Sequence, residues 1–434
     1  MNFVRSNSSE NAAASPVELD EQALWSPHTP LGIGDKRHFL IISAPFGPFS
    51  KELSANLRAA GADVTRILLN AGDVLSWGLR NAEPYFGTTA DWADWLKAFV
   101  QRKRFTDIIT YGDSSPHAAA ALAVSAELGL RRHVLEQGYF RPDWVTLEAE
   151  GVNANSDLPR DPDWYRNHPA AKQPAASEAV GRTTPAAVWH IFNYHLAMYI
   201  GAPIFFRYRA HYRDSAVKQA MGHVARYGQE LVTQTRHKIA YENLVSTEGS
   251  VFLCILQRPG DSQLWRHSEY ESPSDFIRHV VASFAAHAPA NARLLVRLHP
   301  LDPGIFPYDS FITAVAAEFG VQERVCVSNH GKLHDVLPQM AGVICINSTA
   351  GLAAVEFGKP TIALGRAMYD VPGLIHQGGL EKFWTAPEMP DAALYQAFRR
   401  VVMSETQING AYATANGRRL AVPEIARRLL ADRL

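Results

Sequence analysis

Residues 342–365 read GVICINSTAGLAAVEFGKPTIALG. An apolar run ends at Asn347, Ser348 and Thr349 open a helix, and FGKP hands the chain to a second apolar run, PTIALG. Short buried strands separated by helical patterns feed a parallel sheet. Working outward, the same alternation holds on the N-terminal side: VFLCILQ from Val251, a helix from Ser274 to His287, RLLVRLHP, a helix from Tyr308 to Phe319, VCVS and a helix from Lys332. It also fills the first half. HFLIISA, a helix from Ser50 to Ala60, VTRILL, a Trp-rich helix near 90–104, TDIITYGD, an Ala-rich helix from His117 to Leu130 and HVLEQG follow one another.

Between Ser156 and Pro185 the periodicity fails amid Pro, Ala and charge, which reads as a long loop or linker. Helical patterns near 186–200 and 211–242 then bridge the halves. The expected fold is α/β, with two Rossmann-like parallel-sheet lobes, a helical linker and an interlobe cleft. The expected divisions are a mobile tail at 1–36, an N-terminal lobe at 37–185, a linker at 186–248, a C-terminal lobe at 249–384 and terminal helices at 385–434. Helices near 391–403 and 422–432 can return to either lobe. Ligands of open α/β sheets bind at the C-terminal ends of the strands, so the cleft is the expected site. GT-B glycosyltransferases and sugar-nucleotide epimerases share this architecture, and the fold alone does not choose between them.

The 434 residues are 47% hydrophobic and 20% charged, enough apolar material for sizeable cores. Forty-two Lys and Arg against 43 Asp and Glu leave a formal charge of -1 and no basic stripe, which argues against a nucleic-acid partner. Cys254, Cys326 and Cys345 lie singly in apolar runs, so they read as buried reduced thiols of a cytoplasmic protein. No stretch reaches the roughly 20 apolar residues that span a bilayer, and the N-terminus lacks the apolar core of a secretory signal. A soluble protein is expected. There is no G-x-G-x-x-G, Walker loop, HExxH or nucleophile elbow, and nothing calls for a metal or a cofactor.

The residues that carry chemistry cluster at strand ends. Ser348 and Thr349 open a helix whose free N–H groups and dipole favour a phosphate, Gly351 allows close approach, and Glu356 is a candidate for ribose hydroxyls. Simple N-capping of a core helix is the bland alternative. In RLHPLDPG, His299 is held by Pro300 where it can donate to a phosphate oxygen. Gln257, Asp261 and Gln263 follow another buried strand, although turn chemistry explains them equally well. In the first half, Asp113 and His117 of YGDSSPH face the same cleft, as does SAPFGPFS after the first strand. The segment 134–156 concentrates Glu136, Arg141, Asp143 and Glu148 among aromatics, where carboxylates could serve glycosyl transfer with retention or simply be solvated.

YGDSSPH, EQGYFRPDWVTLE with GVNANS, LQRPGDSQ, RLHPLDPG and the segment from CINSTAG to LIHQG resemble the capsule polysaccharide biosynthesis family, β-Kdo glycosyltransferases of KpsS type. These segments spread from about residue 40 to 384, most of the chain. The resemblance implies a GT-B fold, CMP-β-Kdo as donor, a phosphatidylglycerol-type lipid as acceptor and retention by double displacement. The family's Glu-x-Gly-aromatic-x-Arg motif matches Glu136, Gly138, Tyr139 and Arg141. The acid after the following strand, the implied nucleophile, is Glu148, where the relatives carry Asp. Glu136, Asp113 and His117 are then candidates to deprotonate the acceptor. His299, Ser348 and Thr349 match the parts that hold the CMP phosphate, Asn347 beside them is a further candidate for binding the nucleotide, and Arg141 would offset the ulosonic carboxylate. The resemblance also implies other capsule assembly enzymes as partners and a cytoplasmic place at the inner membrane.

Arg207, Arg209, Arg213, Lys218, Arg226, Arg236 and Lys238 along the bridge either lean on anionic lipid or form a solvated face, the latter slightly favoured. A sugar-nucleotide epimerase and a non-catalytic scaffold of capsule export are the competing functions. An epimerase would be protected thermally by UDP rather than CMP, and a scaffold would tolerate Glu148→Gln.

Overall fold

The computed structural model describes residues 36–172, 177–181, 185–209, 216–258, 266–300 and 302–431. The sheet of the N-terminal lobe contains β1 (His38–Ile41), β2 (Asp63–Leu68), β3 (Ala82–Pro84), β4 (Asp107–Tyr111), β5 (Arg131–Gln137) and β6 (Trp144–Glu148). The second sheet contains β7 (Val251–Ile255), β8 (Arg293–Arg297), β9 (Val325–Val327), β10 (Gly342–Cys345) and β11 (Thr361–Ala363). Its order is β11-β10-β7-β8-β9, every pair parallel. Among the described residues the two-lobed α/β architecture is therefore the expected one.

Burial on both faces explains why these strands read as continuous apolar runs. Phe39 and Ile41 of β1 enter one core with Leu53 and Leu57, while Leu40 and Ile42 enter another with Trp92, Leu96 and Phe99. In β7, Phe252 and Cys254 pack on Phe276 and Phe284, and Val251, Leu253 and Ile255 pack on Tyr241 and Leu244 of the helix Ala216–Ser246. Each such buried side chain contributes about 2 kcal/mol.

Three features differ from the sequence reading. The chain end rejoins the first lobe: β12 (Gln407–Asn409) pairs antiparallel with β6, completing the order β12-β6-β5-β4-β1-β2-β3. The helix Ala415–Leu430 then packs Val422, Ile425 and Leu429 against the core that Leu53 and Leu57 share. So 385–431 takes one of the two placements left open for it, and the strand β12 is what the sequence reading lacked. Second, β6 runs antiparallel to β5, turning the motif Glu136–Arg141 back on itself. Third, the described part of 156–185 is not bare loop. Asp161 caps the helix Pro162–Asn167 by accepting from the Asp163 N–H at 2.9 Å, and Pro162 supplies the preset first-turn φ. Tyr165 is fully buried beside Phe398, in a core that also holds Tyr139, Leu352 and Tyr369 and so joins the lobes. That segment folds against partners some two hundred residues away, which local periodicity does not register.

The helix Pro185–Ile200 matches the expected first bridging helix and is fastened to the N-terminal lobe. Its Tyr194 hydroxyl donates to Asp73 Oδ1 at 3.1 Å and accepts from Asn70 Nδ2 at 3.0 Å. Asp73 also accepts from the buried guanidinium of Arg66 at 2.9 Å.

Candidate functional site

A cavity of about 590 Å³ lies between the lobes, within the usual range for ligand sites. It collects loops from the C-terminal ends of several parallel strands: Ser43 after β1, Asn70 after β2, Gly112, Ser114, Ser115 and His117 after β4, Gln257 and Arg258 after β7, His299 after β8, and Asn347 to Thr349 after β10. Parallel strands deliver their carboxyl ends to one edge, so residues remote in sequence converge there. The bridging helix adds Ala187, Ile191, Tyr194 and Met198, and the returning chain end adds Tyr412 and Arg418.

The second-lobe wall suits an anion. Ser348 caps the helix Thr349–Glu356, its hydroxyl accepting from the Ala350 N–H at 3.2 Å, and Thr349 beside it lines the cavity. Asn347 Oδ1 accepts from Gln257 Nε2 at 2.5 Å. Gln257 Oε1, buried, has no hydrogen-bond partner among the described residues, so the wall carries an acceptor ready for a donor. Burial lowers the His299 pKa to about 4, helped by the positive charges of Arg258, Arg141 and Arg226. The imidazole is therefore neutral near pH 7 inside a positive local field. Arg226 donates to the His299 carbonyl at 3.2 Å and also to that of Asp302. That turns it inward, away from a lipid-facing or solvated stripe. Arg236 and Lys238 are exposed, Lys238 lying 3.8 Å from Glu242.

Not every expected site residue reaches the cavity. Glu136, His117, Arg141, Gln257, His299, Asn347, Ser348 and Thr349 line it. Glu148 does not. Its carboxylate is buried at the end of β6, where Oε1 accepts from the Tyr139 hydroxyl at 2.5 Å and Oε2 accepts from Ser156. Desolvation raises its pKa to about 7, against the opposing pull of those two donors. Asp113 is likewise buried in structural work, Oδ1 accepting from Ser114 at 2.6 Å and Oδ2 from the Val152 N–H and Asn155 Nδ2, both at 3.0 Å. It pins the GVNANS loop, which presents Asn153 to the cavity.

Gly351 serves packing rather than ligand approach, because a Cβ there would collide with the Tyr369 hydroxyl and lie 2.7 Å from Cys345 Sγ. Glu356, at the far end of its helix, is exposed and 3.9 Å from Arg399, outside the cavity wall. Pro300 is exposed behind His299 and does not line the cavity. Asp261, Gln263, Arg213 and the Lys218 side chain lie outside the described residues.

Two acids lie in the first-lobe wall: Asp73, whose carboxylate is taken up by Arg66, Tyr194 and the Leu69 N–H, and Glu136. Glu136 Oε1 accepts from the Gln137 N–H at 2.8 Å, the Glu136 backbone carbonyl accepts from Tyr412 at 3.1 Å, and Gly112 leaves room for the other carboxylate oxygen of Glu136. The sequence reading missed Arg258 and Asn153, which sit inside segments quoted for other residues, and it missed Tyr412 and Arg418, for which no local signal exists. Among the described residues no group of three His, Cys, Asp or Glu side chains is arranged to hold a metal ion. Nor is any described helix long and apolar enough to cross a membrane.

Fold and site together define a GT-B-like protein of two α/β lobes, the second sheet all parallel and the first parallel except at its β6 and β12 edge, with a cavity between the lobes. A family model described as capsule polysaccharide biosynthesis protein matches residues 106–412, and the chain belongs to that family. It is 32% identical over 377 residues to the capsule polysaccharide export protein KpsS of Escherichia coli, covering 87% of this chain and 97% of that protein. The capsule polysaccharide modification protein LipB of Neisseria meningitidis is 30% identical over 387 residues, covering 86% and 91%. Among solved structures, the β-Kdo 2,7 transferase KpsC of Thermosulfurimonas dismutans aligns with 12% identity over 91% of this chain and 99% of that one, at a TM-score of 0.42.

Proposed function

We propose that this protein is a retaining β-Kdo glycosyltransferase that moves Kdo from CMP-β-Kdo to a phosphatidylglycerol-type lipid, starting the poly-Kdo linker of capsular polysaccharide. The observation that carries the reading is one cavity with a capped helix mouth and a neutral His299 on one wall and Glu136 with Arg141 on the other. In this reading the CMP phosphate rests against Ser348, Thr349 and His299, and Arg141 meets the ulosonic carboxylate. Glu136 attacks the anomeric carbon, and the bond to the phosphate oxygen breaks with its electron pair leaving on CMP. The acceptor hydroxyl then displaces Glu136 as His117 takes its proton, and two inversions give retention. Attack is assigned to Glu136 rather than to Glu148, the choice implied by family resemblance, because Glu148 is buried off the cavity wall with both oxygens engaged by Tyr139 and Ser156. Glu148 and Asp113 are positioning groups. The enzyme would work at the cytoplasmic face of the inner membrane, its product passing to other capsule assembly enzymes.

The test is incubation of purified protein with CMP-Kdo generated in place and a phosphatidylglycerol analogue, read by mass spectrometry. The expected result is acceptor heavier by one Kdo. Unchanged acceptor beside a demonstrably active donor supply overturns the reading.

A further inference from the structure

The helix Pro185–Ile200, PAAVWHIFNYHLAMYI, contains no Asp, Glu, Lys or Arg, and it has two distinct apolar arcs. Ala187, Ile191, Tyr194 and Met198, spaced three and four apart, line the cavity. Trp189, Phe192, Leu196 and Ile200, spaced the same way, point elsewhere: Trp189 is 61% exposed, Phe192 54% and Ile200 72%. The turn after the helix continues the surface with Ile204 and Phe206, both exposed. A soluble fold rarely leaves an apolar patch of this extent open without a use for it.

We propose that this outer arc docks on an anionic lipid surface, laying the helix in the boundary between headgroups and acyl chains. The chemistry of the patch and its borders selects that occupant. At sixteen residues the helix is short of the roughly 20 that cross a bilayer, so it lies on the surface instead. Trp189, Phe192 and Phe206 are the side chains that settle at such a boundary. Arg207 and Arg209 follow the apolar turn directly and are exposed, with the Arg207 guanidinium 5.3 Å from the Phe206 ring. Cations bordering an uncharged apolar arc complement phosphate headgroups above acyl chains. The opposite arc of the same helix is cavity wall, so docking sets the cavity within one helix diameter, about 10 Å, of the lipid. Delivery of a lipid acceptor from that surface rests on the glycosyltransferase reading; the docking itself does not.

The experiment is flotation of the full-length protein with vesicles of phosphatidylethanolamine and phosphatidylglycerol, comparing wild type with the double variant Phe192→Asp, Ile200→Asp. Wild type is expected to float and the double variant to lose at least about tenfold of its bound fraction, with an unchanged thermal melt. The milder pair Trp189→Ala, Phe206→Ala gives an intermediate loss and covers the case in which the aspartates disturb folding. Equal flotation of wild type and both variants overturns the proposal. So does a wild type that stays unbound but forms a dimer that the aspartates dissociate, since the arc then belongs to a second copy. Kdo transfer to a short-chain, monomeric phosphatidylglycerol is measured in parallel. If that activity is absent while flotation still depends on the arc, the docking stands and the transferase reading fails.

Discussion

The Tyr139 hydroxyl donates a 2.5 Å hydrogen bond to Glu148 Oε1 and accepts one of 2.7 Å from the Asn153 N–H. A single phenol thus ties the end of β6 to the loop that presents Asn153 to the cavity. It also engages one oxygen of Glu148, which does not line the cavity while Glu136 does, and that difference makes the division of labour between the two acids measurable.

Glu136→Gln should lower Kdo transfer by at least about 100-fold while CMP still binds, because a carboxamide is a poor nucleophile but occupies the same space. Glu148→Gln should cost less, with the loss tracking stability. Turnover measured beside CMP binding by calorimetry distinguishes them. Near-wild-type turnover in Glu136→Gln, with Glu148→Gln inactive but folded, reverses the assignment.

The raised Glu148 pKa has a stability consequence with a definite sign. Between about pH 4.5, where an unfolded glutamate titrates, and the folded value of about 7, the native state holds a proton that the unfolded chain releases. Stability attached to this group is therefore present at low pH and is lost as pH rises through that window, by up to about 3 kcal/mol. Denaturant unfolding at about pH 5 and pH 8 should show wild type weakening relative to Glu148→Gln as pH rises. Parallel behaviour of the two proteins would contradict this account.

Asp113→Ala should act on folding rather than on the chemical step. It leaves the Val152 N–H and the Asn155 amide without their acceptor, at a cost of about 1–3 kcal/mol. Unfolding curves read the loss directly. If stability is unchanged and turnover collapses, Asp113 belongs to the chemistry after all.

Ser348 and Thr349 separate capping from binding. Ser348→Ala removes the acceptor for the Ala350 N–H, so it should cost about 1 kcal/mol of stability as well as nucleotide affinity. Thr349→Val should weaken CMP binding by about tenfold and leave the melt unchanged. Unaltered CMP affinity in both variants would remove the phosphate from this helix mouth.

His299 should show a neutral imidazole across the physiological range. Nitrogen chemical shifts assigned by comparison with His299→Ala should reveal no protonation until well below pH 6.5, the direction set by burial and by Arg258, Arg141 and Arg226. A titration at or above pH 6.5 would remove that positive field from the site.

The sequence alone determined the alternating strands and helices, the two lobes, and the second-lobe wall at Gln257, His299 and Ser348. Those follow from periodicity and from the rule that parallel strands present their carboxyl ends at one edge, both local or nearly local properties. Only the tertiary structure decided that Glu136 lines the cavity and Glu148 does not. Glu136 and Glu148 look alike as acids near strand ends, but β6 runs antiparallel to β5 and carries Glu148 to the far end of the pairing, opposite Val134. The same limit hid β12, whose three residues become a strand only beside β6, and the packing of Tyr165 on Phe398. In each case the deciding interaction joins residues that the chain separates, and neither partner's neighbours carry a trace of it.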